Sequence, residues 1–187
     1  MKIAAITLIV IVLTVLFIYS KRQDGALKSR AEVPVVSPES ARPDAPQINL
    51  IVEGKGIVEL NRLTAPLAHI VFWAEWCDPC RREMPALARL AKSRRGHYNL
   101  ILINLDEDNE ARNRARQFVK DNFKDDVNTI AQVYSGGDKL TETFKVEALP
   151  YHLVVTNKNK IAATFVTSIE DDEPKFNSLL DSLEREN

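Results

Sequence analysis

The two cysteines of the chain, Cys77 and Cys80, stand three positions apart, between a short apolar run and the start of a helical pattern. Two thiols at this spacing can close a disulfide across one helical turn and reopen it with little backbone motion. Unpaired backbone N–H groups and the positive end of a helix dipole favour the thiolate of the first cysteine. Pro79 fixes its own φ and stiffens the turn. The spacing therefore predicts a reactive dithiol in which Cys77 attacks and Cys80 resolves the mixed disulfide.

Metal binding is the competing use of a cysteine pair. A structural zinc site needs four ligands, and the three histidines of the chain are scattered without a second paired spacing. A c-type haem site needs histidine directly after the second cysteine, where Arg81 stands. Copper suits thiolate and imidazole ligands, so a copper site that His152 completes stays open. For the dithiol itself no bound cofactor is expected, because the electrons reside in the two sulfurs.

Acidic side chains surround the cysteine pair in the sequence, at Glu75, Asp78 and Glu83. Each nearby carboxylate disfavours a second negative charge on a thiol. A thiolate that is less stabilised than in a strong oxidant such as DsbA gives a lower reduction potential. The charge pattern therefore predicts a reductant, with an oxidase or isomerase that donates its disulfide as the alternative.

The elements that must position the pair alternate between strand and helix. His69–Ala74 and Leu100–Leu105 are buried-strand runs, and a helical stripe at Ala86–Arg95 lies between them, which predicts a parallel strand pair. The other predicted elements are a hairpin at Asn49–Asn61, an amphipathic helix at Glu110–Asp121 capped by Asn109, a strand near Val127–Val133, a helix near Lys139–Phe144, a hairpin of Leu153–Thr156 with Ile161–Thr167, and a helix from Pro174. The total is a mixed α/β sandwich around a central sheet.

The N-terminal end, residues 1–20, is predicted to be an uncleaved membrane anchor. Ile3–Tyr19 is an uncharged apolar stretch of 17 residues, the lower limit for a bilayer-spanning helix, and Lys21-Arg22 follows it in place of a small-residue cleavage site. Residues 21–47 carry four prolines without an apolar period and are predicted to be a flexible linker, which leaves 48–187 as the folded domain. With 25 basic and 26 acidic side chains, the net charge of −1 argues against nucleic-acid binding.

The orientation of the anchor is open. Lys2 precedes the apolar stretch, whereas Lys21, Arg22, Lys28 and Arg30 follow it, so the positive-inside rule counted literally keeps the domain in the cytoplasm. A reactive disulfide argues for the opposite side, because disulfides persist in oxidising compartments.

The residues around the pair resemble those of thioredoxin: Phe72-Trp73-Ala74-Glu75-Trp76-Cys77, then Pro79, Cys80 and Pro85. The apolar N-terminus, Asp78-Pro79, Glu83-Met84-Pro85 and Asn104-Leu105-Asp106 are more similar to the membrane-tethered TlpA/ResA branch of that family. The resemblance implies a thioredoxin-like α/β fold with a central mixed sheet flanked by helices, here preceded by a single N-terminal transmembrane helix.

The resemblance also assigns roles to individual residues. It implies a cis-proline loop at Leu149-Pro150, whose backbone holds an extended substrate strand beside Cys77. Trp73 is predicted to be part of the core. The predicted substrate-binding residues are Trp76, Leu149, Pro150 and Tyr151. The residues predicted to tune the thiols are Glu83, Asp78 and Pro79.

The sequence departs from its relatives at two places. Val71 replaces the buried aspartate that accepts the proton of the resolving cysteine in thioredoxin, while Glu83 stands where the ResA-like branch has a glutamate that tunes the thiols. Tyr151-His152 follows the proline where the branch commonly has threonine or glutamate, which leaves the substrate open.

The function that the resemblance implies is that of a thiol-disulfide oxidoreductase in a bacterial cell envelope. Its implied partners are a disulfide-containing envelope protein, with apocytochrome c as the leading candidate substrate, and a transmembrane electron donor of the thiol type that recharges Cys77 and Cys80. The implied location is the inner membrane, spanned by residues 3–19, with the domain on the periplasmic side. A copper-binding chaperone on the same fold is the runner-up.

Overall fold

The computed structural model describes residues 14–15, 36–63 and 66–186 of the chain. The predicted anchor, apart from Thr14 and Val15, and the predicted linker as far as residue 35 lie outside the described residues. Within the part of the chain that is described, no helix is both long and apolar enough to cross a membrane.

The described residues form seven strands and four α-helices. The strands are β1 (Asn49–Val52), β2 (Gly56–Glu59), β3 (Leu67–Trp73), β4 (Tyr98–Asn104), β5 (Ala131–Val133), β6 (Tyr151–Thr156) and β7 (Ile161–Phe165). The helices are α1 (Asp78–Ser93), α2 (Asn109–Phe123), α3 (Gly137–Phe144) and α4 (Glu173–Glu186). Short 3₁₀ turns lie at 39–41, 60–63, 124–129 and 169–172.

The seven strands of the described chain form one mixed sheet in the order β2-β1-β5-β4-β3-β6-β7. β3 pairs in parallel with β4, and β4 with β5, whereas β6 is antiparallel to β3. β3 is a central strand, and all of its residues are buried. The predicted parallel pair with an intervening helix is confirmed by β3, α1 and β4, since a parallel connection needs a crossover element.

The sheet separates two apolar layers, because successive side chains of a strand point to opposite faces. The α1 face is the side that carries Val71, and α1, α2 and α4 cover it, with Leu87 and Leu183 among its buried residues. The α3 face is the side that carries Phe72, which contacts Phe144 of α3 at 5.5 Å between ring centroids. The two faces are therefore covered by different helices.

Several element boundaries differ from the prediction, three of them at caps and turns. α2 is capped by Asp108 and not by Asn109, because Asp108 Oδ1 accepts the Ala111 N–H at 2.7 Å. β5 is shorter than predicted, because residues 124–129 form a 3₁₀ turn. Pro174 is the second residue of α4, and most of the acidic segment before it lies in the Ile169–Asp172 turn.

Residues 36–47, predicted as the end of a flexible linker, pack against the domain. The Ala45 N–H donates to the Asn159 carbonyl at 2.8 Å, and the Asn159 side-chain amide donates back to the Ala45 carbonyl at 2.9 Å. Arg42 is 5% exposed and pairs with Glu186 at 2.7 Å. The prediction of a flexible linker is wrong for this segment. Hydrogen bonds and an ion pair hold the segment on the domain, and such contacts produce no apolar period that the sequence could show.

Candidate active site

Cys77 and Cys80 form a disulfide, with their Cα atoms 5.3 Å apart. Cys77 is the N-cap of α1, and its sulfur accepts the Cys80 N–H at 3.3 Å. Cys77 is 5% exposed, whereas Cys80 is fully buried. The cysteine that caps the helix is thus also the more accessible of the two, which fits the predicted roles of attacking and resolving cysteine.

The two residues between the cysteines start α1. Asp78 is exposed in the first turn, where a carboxylate suits the helix dipole but disfavours an adjacent thiolate. Pro79 follows in the same turn, where its missing N–H costs no hydrogen bond. The basic residues that come next are engaged with other elements: Arg81 lies over an aromatic ring of α2 at 5.3 Å, and Arg82 pairs with Glu170 at 3.9 Å.

Trp76 and the cis-proline loop, both predicted to bind substrate, lie near the disulfide along the chain and at the same end of the sheet, respectively. Trp76, next to Cys77 in the chain, is 69% exposed. The Leu149–Pro150 peptide bond is cis, as predicted. The residue after it pairs with Phe72 in the ladder between β3 and β6. The loop therefore lies at the end of the sheet where β3 leads to the disulfide, with Leu149 half-buried and Pro150 buried.

Tyr151 does not contribute to a substrate-binding surface. Its side chain is 4% exposed on the α3 face, and its hydroxyl donates to the Phe144 carbonyl at 3.0 Å. The prediction is wrong because side chains alternate along a strand, so that residues 151 and 152 of β6 point to opposite faces. His152 is the one that shares the α1 face with the sulfurs, where its ring stacks on Phe165.

Glu83 is fully buried on α1, one turn after Cys80. Its Oε2 accepts the Ile169 N–H at 3.0 Å and lies 3.4 Å from His152 Nε2. Its Oε1 has no hydrogen-bond partner among the described residues. Positions three apart on a helix are neighbours, so Glu83 and Cys80 lie on the same side of α1. An unpaired buried oxygen is costly, which favours a functional role over that of a surface glutamate.

Sequence reasoning missed a buried chain of polar side chains behind Glu83. His152 Nδ1 lies 3.0 Å from His69 Nε2, and His69 Nδ1 lies 2.6 Å from the Tyr98 hydroxyl. His69 and His152 are fully buried, and Tyr98 is 5% exposed. One signal was available, because His69 lies in a strand predicted to be buried and a buried imidazole needs partners. The strand register that brings His152 beside His69 has no such signal in the sequence.

Burial changes the ionisation of two members of this chain. It lowers the pKa of His69 well below the ordinary value, and the neighbouring His152 lowers it further. It raises the pKa of the Tyr98 hydroxyl well above the ordinary value, with the Glu83 carboxylate adding to this effect and Arg94 opposing it. His69 is therefore a neutral imidazole and Tyr98 a neutral phenol at neutral pH.

The segment before the disulfide is fastened to the loop after β4. Asp106 Oδ2 accepts the Glu75 N–H at 2.9 Å and the Asn104 side-chain amide at 2.7 Å. The Glu75 carboxylate pairs with Arg114 of α2 at 3.5 Å. Trp73, predicted to be core, is fully buried in the same region of the chain. These contacts fix the backbone that leads from β3 into the disulfide.

The two ring nitrogens of His152 lie next to side chains other than the cysteines. Its Nδ1 and Nε2 atoms face His69 and Glu83. Among the residues that the structure describes, no group of three or more His, Cys, Asp or Glu side chains is arranged to hold a metal ion.

Residues 67–161, slightly more than half of the chain of 187 residues, match the family model for thioredoxin-like proteins. The chain belongs to the thioredoxin-like family. The matched segment contains β3, the cysteine pair and the cis-proline loop, so the family match covers the elements that build the site.

Thiol-disulfide oxidoreductases are among the relatives of this thioredoxin-like chain. It is 26% identical to sporulation thiol-disulfide oxidoreductase A of Bacillus subtilis over 129 residues, which cover 67% of this chain and 74% of that protein. It is 29% identical to thiol-disulfide oxidoreductase ResA of Bacillus cereus over 116 residues, which cover 62% of each. For two further curated relatives, the aligned segments span only 28% and 35% of the relative's length. The two relatives with the longer alignments are both thiol-disulfide oxidoreductases.

The thioredoxin-like fold is also that of solved structures. A DsbF homologue from Corynebacterium diphtheriae is similar with a TM-score of 0.66 and 21% identity, over 79% of this chain and 91% of that one. At this identity the likeness shows the fold alone. The family match and this fold place the chain among thioredoxin-like proteins, and ResA is one of its relatives within that family.

Proposed function

We propose that this thioredoxin-like protein is a membrane-tethered thiol-disulfide oxidoreductase that reduces disulfides of cell-envelope proteins. The observation that carries the proposal is the start of α1. There Cys77, the more exposed of the two cysteines, follows the exposed Trp76, and the fully buried Cys80 lies one turn before the buried Glu83. Each group then has a part in a two-step disulfide exchange. The similarity to named thiol-disulfide oxidoreductases supports the same activity.

The reaction begins from the reduced dithiol. The Cys77 thiolate attacks one sulfur of a substrate disulfide, and the other substrate sulfur leaves as a thiolate that takes a proton from water. Cys80 then loses its proton to Glu83, and its thiolate attacks the Cys77 sulfur of the mixed disulfide. The second substrate sulfur leaves and is protonated. Two electrons have passed to the substrate, and the protein is left with the Cys77–Cys80 disulfide of the structure.

Glu83 fits the role of proton acceptor for Cys80. The buried acidic group is supplied by helix α1 at Glu83, whereas the strand position Val71 of β3 is apolar. Glu83 Oε1 lacks a hydrogen-bond partner in the described chain, so it is available to a proton. A carboxylate held near a thiol can act as its general base.

The proposed direction of electron flow follows from the local charge. Glu75 and Asp78 lie on either side of Cys77 in the sequence, and Glu83 lies one turn after Cys80. Each carboxylate opposes negative charge on the sulfurs. A less stabilised thiolate lowers the reduction potential, which makes the dithiol a donor of electrons.

The proposed setting is the periplasmic side of a bacterial inner membrane, with residues 3–19 as the tether. In an oxidising compartment the disulfide accumulates, so a transmembrane electron donor of the thiol type must return the pair to the dithiol. Apocytochrome c, whose haem site is a Cys-x-x-Cys-His segment, is the leading candidate substrate. The full chain should sediment with membranes and be degraded by protease added to spheroplasts. A soluble or protected chain would contradict this setting.

Trapping of a mixed disulfide tests the activity. The full-length chain with Cys80→Ser is reduced and mixed with a Cys-x-x-Cys-His peptide that is closed by a disulfide. Because the resolving thiol is absent, we expect a stable adduct on Cys77, seen as a mass increase that a reductant reverses. The wild type should release reduced peptide, and Cys77→Ser should do neither. A Cys80→Ser chain that forms no adduct would contradict the proposal, and copper binding by that chain would favour the metal-binding alternative.

A further inference from the structure

The reaction described above does not use the buried chain of Tyr98, His69 and His152 that leads to Glu83. Successive polar atoms along it lie 2.6, 3.0 and 3.4 Å apart. The His152 ring stacks on Phe165 with 4.5 Å between centroids and 7° between planes, which holds the imidazole in one orientation. The chain reaches Glu83 at Oε2, the oxygen that also accepts the Ile169 N–H.

The two ends of the chain constrain its proton positions. A neutral imidazole has one N–H and one bare nitrogen, and a phenol has one O–H. If Tyr98 donates to His69 Nδ1, the His69 Nε2–H donates to His152 Nδ1, and the His152 Nε2–H faces Glu83 Oε2. Every donor but the last then has an acceptor at hydrogen-bond distance. The last, His152 Nε2–H, has no hydrogen-bond partner in the described structure and lies 3.4 Å from a carboxylate oxygen. The reverse order puts a bare His152 nitrogen beside the Glu83 carboxylate, and this arrangement is electrostatically less favourable because both groups are then acceptors.

The contact between His152 and Glu83 supplies charge stabilisation more than hydrogen-bond alignment. At 3.4 Å it is longer than an ordinary N–H···O hydrogen bond, which is about 3 Å. In a buried site of low dielectric constant, a donor dipole at this distance still favours the carboxylate. Together with the Ile169 N–H at 3.0 Å, it engages Oε2 from two sides.

We propose that His152 is a positioning residue for the resolving step. It holds Oε2 of Glu83 so that Oε1 takes the proton of Cys80, and His69 and Tyr98 fix its tautomer. This inference rests on the proposed function, in which Cys80 resolves a mixed disulfide. The step breaks the Cys80 S–H bond and forms an O–H bond on Glu83. The Cys80 thiolate then bonds to the Cys77 sulfur, and the departing substrate thiolate takes its proton from water.

The groups that titrate or carry charge around Glu83 lie on α1, β3, β4, β6 and the 169–172 turn. They are Cys80, His69, Tyr98 with the nearby Arg94, His152, and the exposed pair of Glu170 with Arg82 at 3.9 Å. β7 and α4 present uncharged rings to the histidines, those of Phe165 and Phe176. Of these described groups, His152 is the one in contact with the Glu83 carboxyl group.

A two-phase single-turnover experiment on the full-length chain isolates the resolving step. The reduced protein reacts with an excess of a chromogenic aromatic disulfide. The first chromophore released reports attack by Cys77, and the second reports resolution by Cys80. Both phases are followed across the pH range.

His152→Phe is the main variant, because phenylalanine can still stack on Phe165 but has no ring nitrogen. It leaves the buried Glu83 carboxylate with the Ile169 donor, which disfavours the charged form. We therefore expect the second phase at neutral pH to slow, and the midpoint of its pH profile to move to higher pH. The first phase should keep its rate.

Three further variants sharpen the comparison. His152→Gln offers a side-chain N–H to Glu83, and we expect it to recover most of the rate. Tyr98→Phe removes only the far hydroxyl, and we expect slowing in the same direction of about threefold. His97→Phe is the matched control at an exposed histidine, and both phases should be unchanged.

The two phases separate this inference from the function on which it rests. A wild type without the first phase would overturn the proposed function. If both phases occur and a folded His152→Phe keeps the wild-type pH profile, the inference is overturned. Equal slowing in His152→Phe and His152→Gln without movement along the pH axis would also overturn it, because that result indicates a structural role alone. Should His152→Phe fail to fold, a wild-type profile in Tyr98→Phe overturns it.

Discussion

The two faces of the central sheet bury different chemistry. On the α3 face, Phe72, Phe144 and Tyr151 pack ring against ring, and the Tyr151 hydroxyl is satisfied by a backbone carbonyl. On the α1 face, the side that contains both sulfurs, Glu83 and His152 are fully buried although burial of polar groups is costly. The difference indicates that the α3 face serves stability, whereas the α1 face gives up apolar packing for acid–base groups beside the thiols.

Truncation on the α3 face should have the largest effect, and on stability alone. Phe144→Ala removes a ring that contacts Phe72 at 5.5 Å between centroids. We expect the free energy of unfolding to fall by about 3–5 kcal/mol, measured by urea denaturation of the full chain. The folded variant should keep the pH dependence of resolution by Cys80. If the pH dependence of resolution by Cys80 shifted in Phe144→Ala, the α3 face would also influence the chemistry, which contradicts the assigned roles of the two faces.

Removal of the acid on the α1 face should act on chemistry. Glu83→Gln keeps an oxygen for the Ile169 N–H but cannot take a proton from a thiol. We expect resolution by Cys80 at neutral pH to slow about hundredfold, with attack by Cys77 unchanged in the two-phase assay. Glu170→Gln is the matched control at an exposed carboxylate and should stay within about twofold of the wild type. Equal rates in the two variants would contradict the role of Glu83.

The corrected substrate surface is tested by a pair of aromatic variants. Trp76→Ala removes an exposed ring beside Cys77, and we expect KM for a disulfide-closed peptide to rise about tenfold with resolution unchanged. Tyr151→Phe, on the α3 face, should leave KM unchanged and cost about 1 kcal/mol of unfolding free energy for the lost bond to the Phe144 carbonyl. If Tyr151→Phe raised KM as much as Trp76→Ala, the correction would fail.

The smallest expected effect is a decrease in the free energy of unfolding at acidic pH. Burial lowers the pKa of His69, so the unfolded chain binds this proton more readily than the folded chain. The stability that the folded chain gains by keeping His69 neutral is complete above the unfolded-state pKa of about 6.5. It is lost as the pH falls below that value. We expect His69→Phe to remove about 1 kcal/mol of the difference in unfolding free energy between about pH 7.5 and pH 5.5. If the unfolding free energy of His69→Phe changed with pH as much as that of the wild type and of His97→Phe, His69 would not be the source of the pH dependence.

The elements with short-range signals could be predicted from the sequence. The buried run at His69–Ala74 corresponds to β3, and the helical stripe after the cysteines belongs to α1. The cis bond at Leu149–Pro150 follows from a motif. In each case the deciding residues lie within a few positions of one another, so that periodicity or a motif contains the information.

The rest of the site depends on contacts between distant segments. His152 comes beside His69 and Glu83 because β6 pairs with β3 in the register that places it opposite Val71. The inward position of Tyr151 depends on the same register, since a shift of one residue moves a side chain to the other face. The packing of Arg42 on Glu186 likewise joins the two ends of the described domain. No local pattern in the sequence encodes these pairings.

The reduction potential of the Cys77–Cys80 pair in the full-length chain tests the central claim most directly. The chain is equilibrated against a series of thiol–disulfide buffers, and alkylation followed by mass measurement reports the fraction of dithiol. A pair whose thiolates are opposed by nearby carboxylates should have a potential below about −200 mV, as a reductant does. A potential near about −120 mV, as in the oxidant DsbA, would contradict the account.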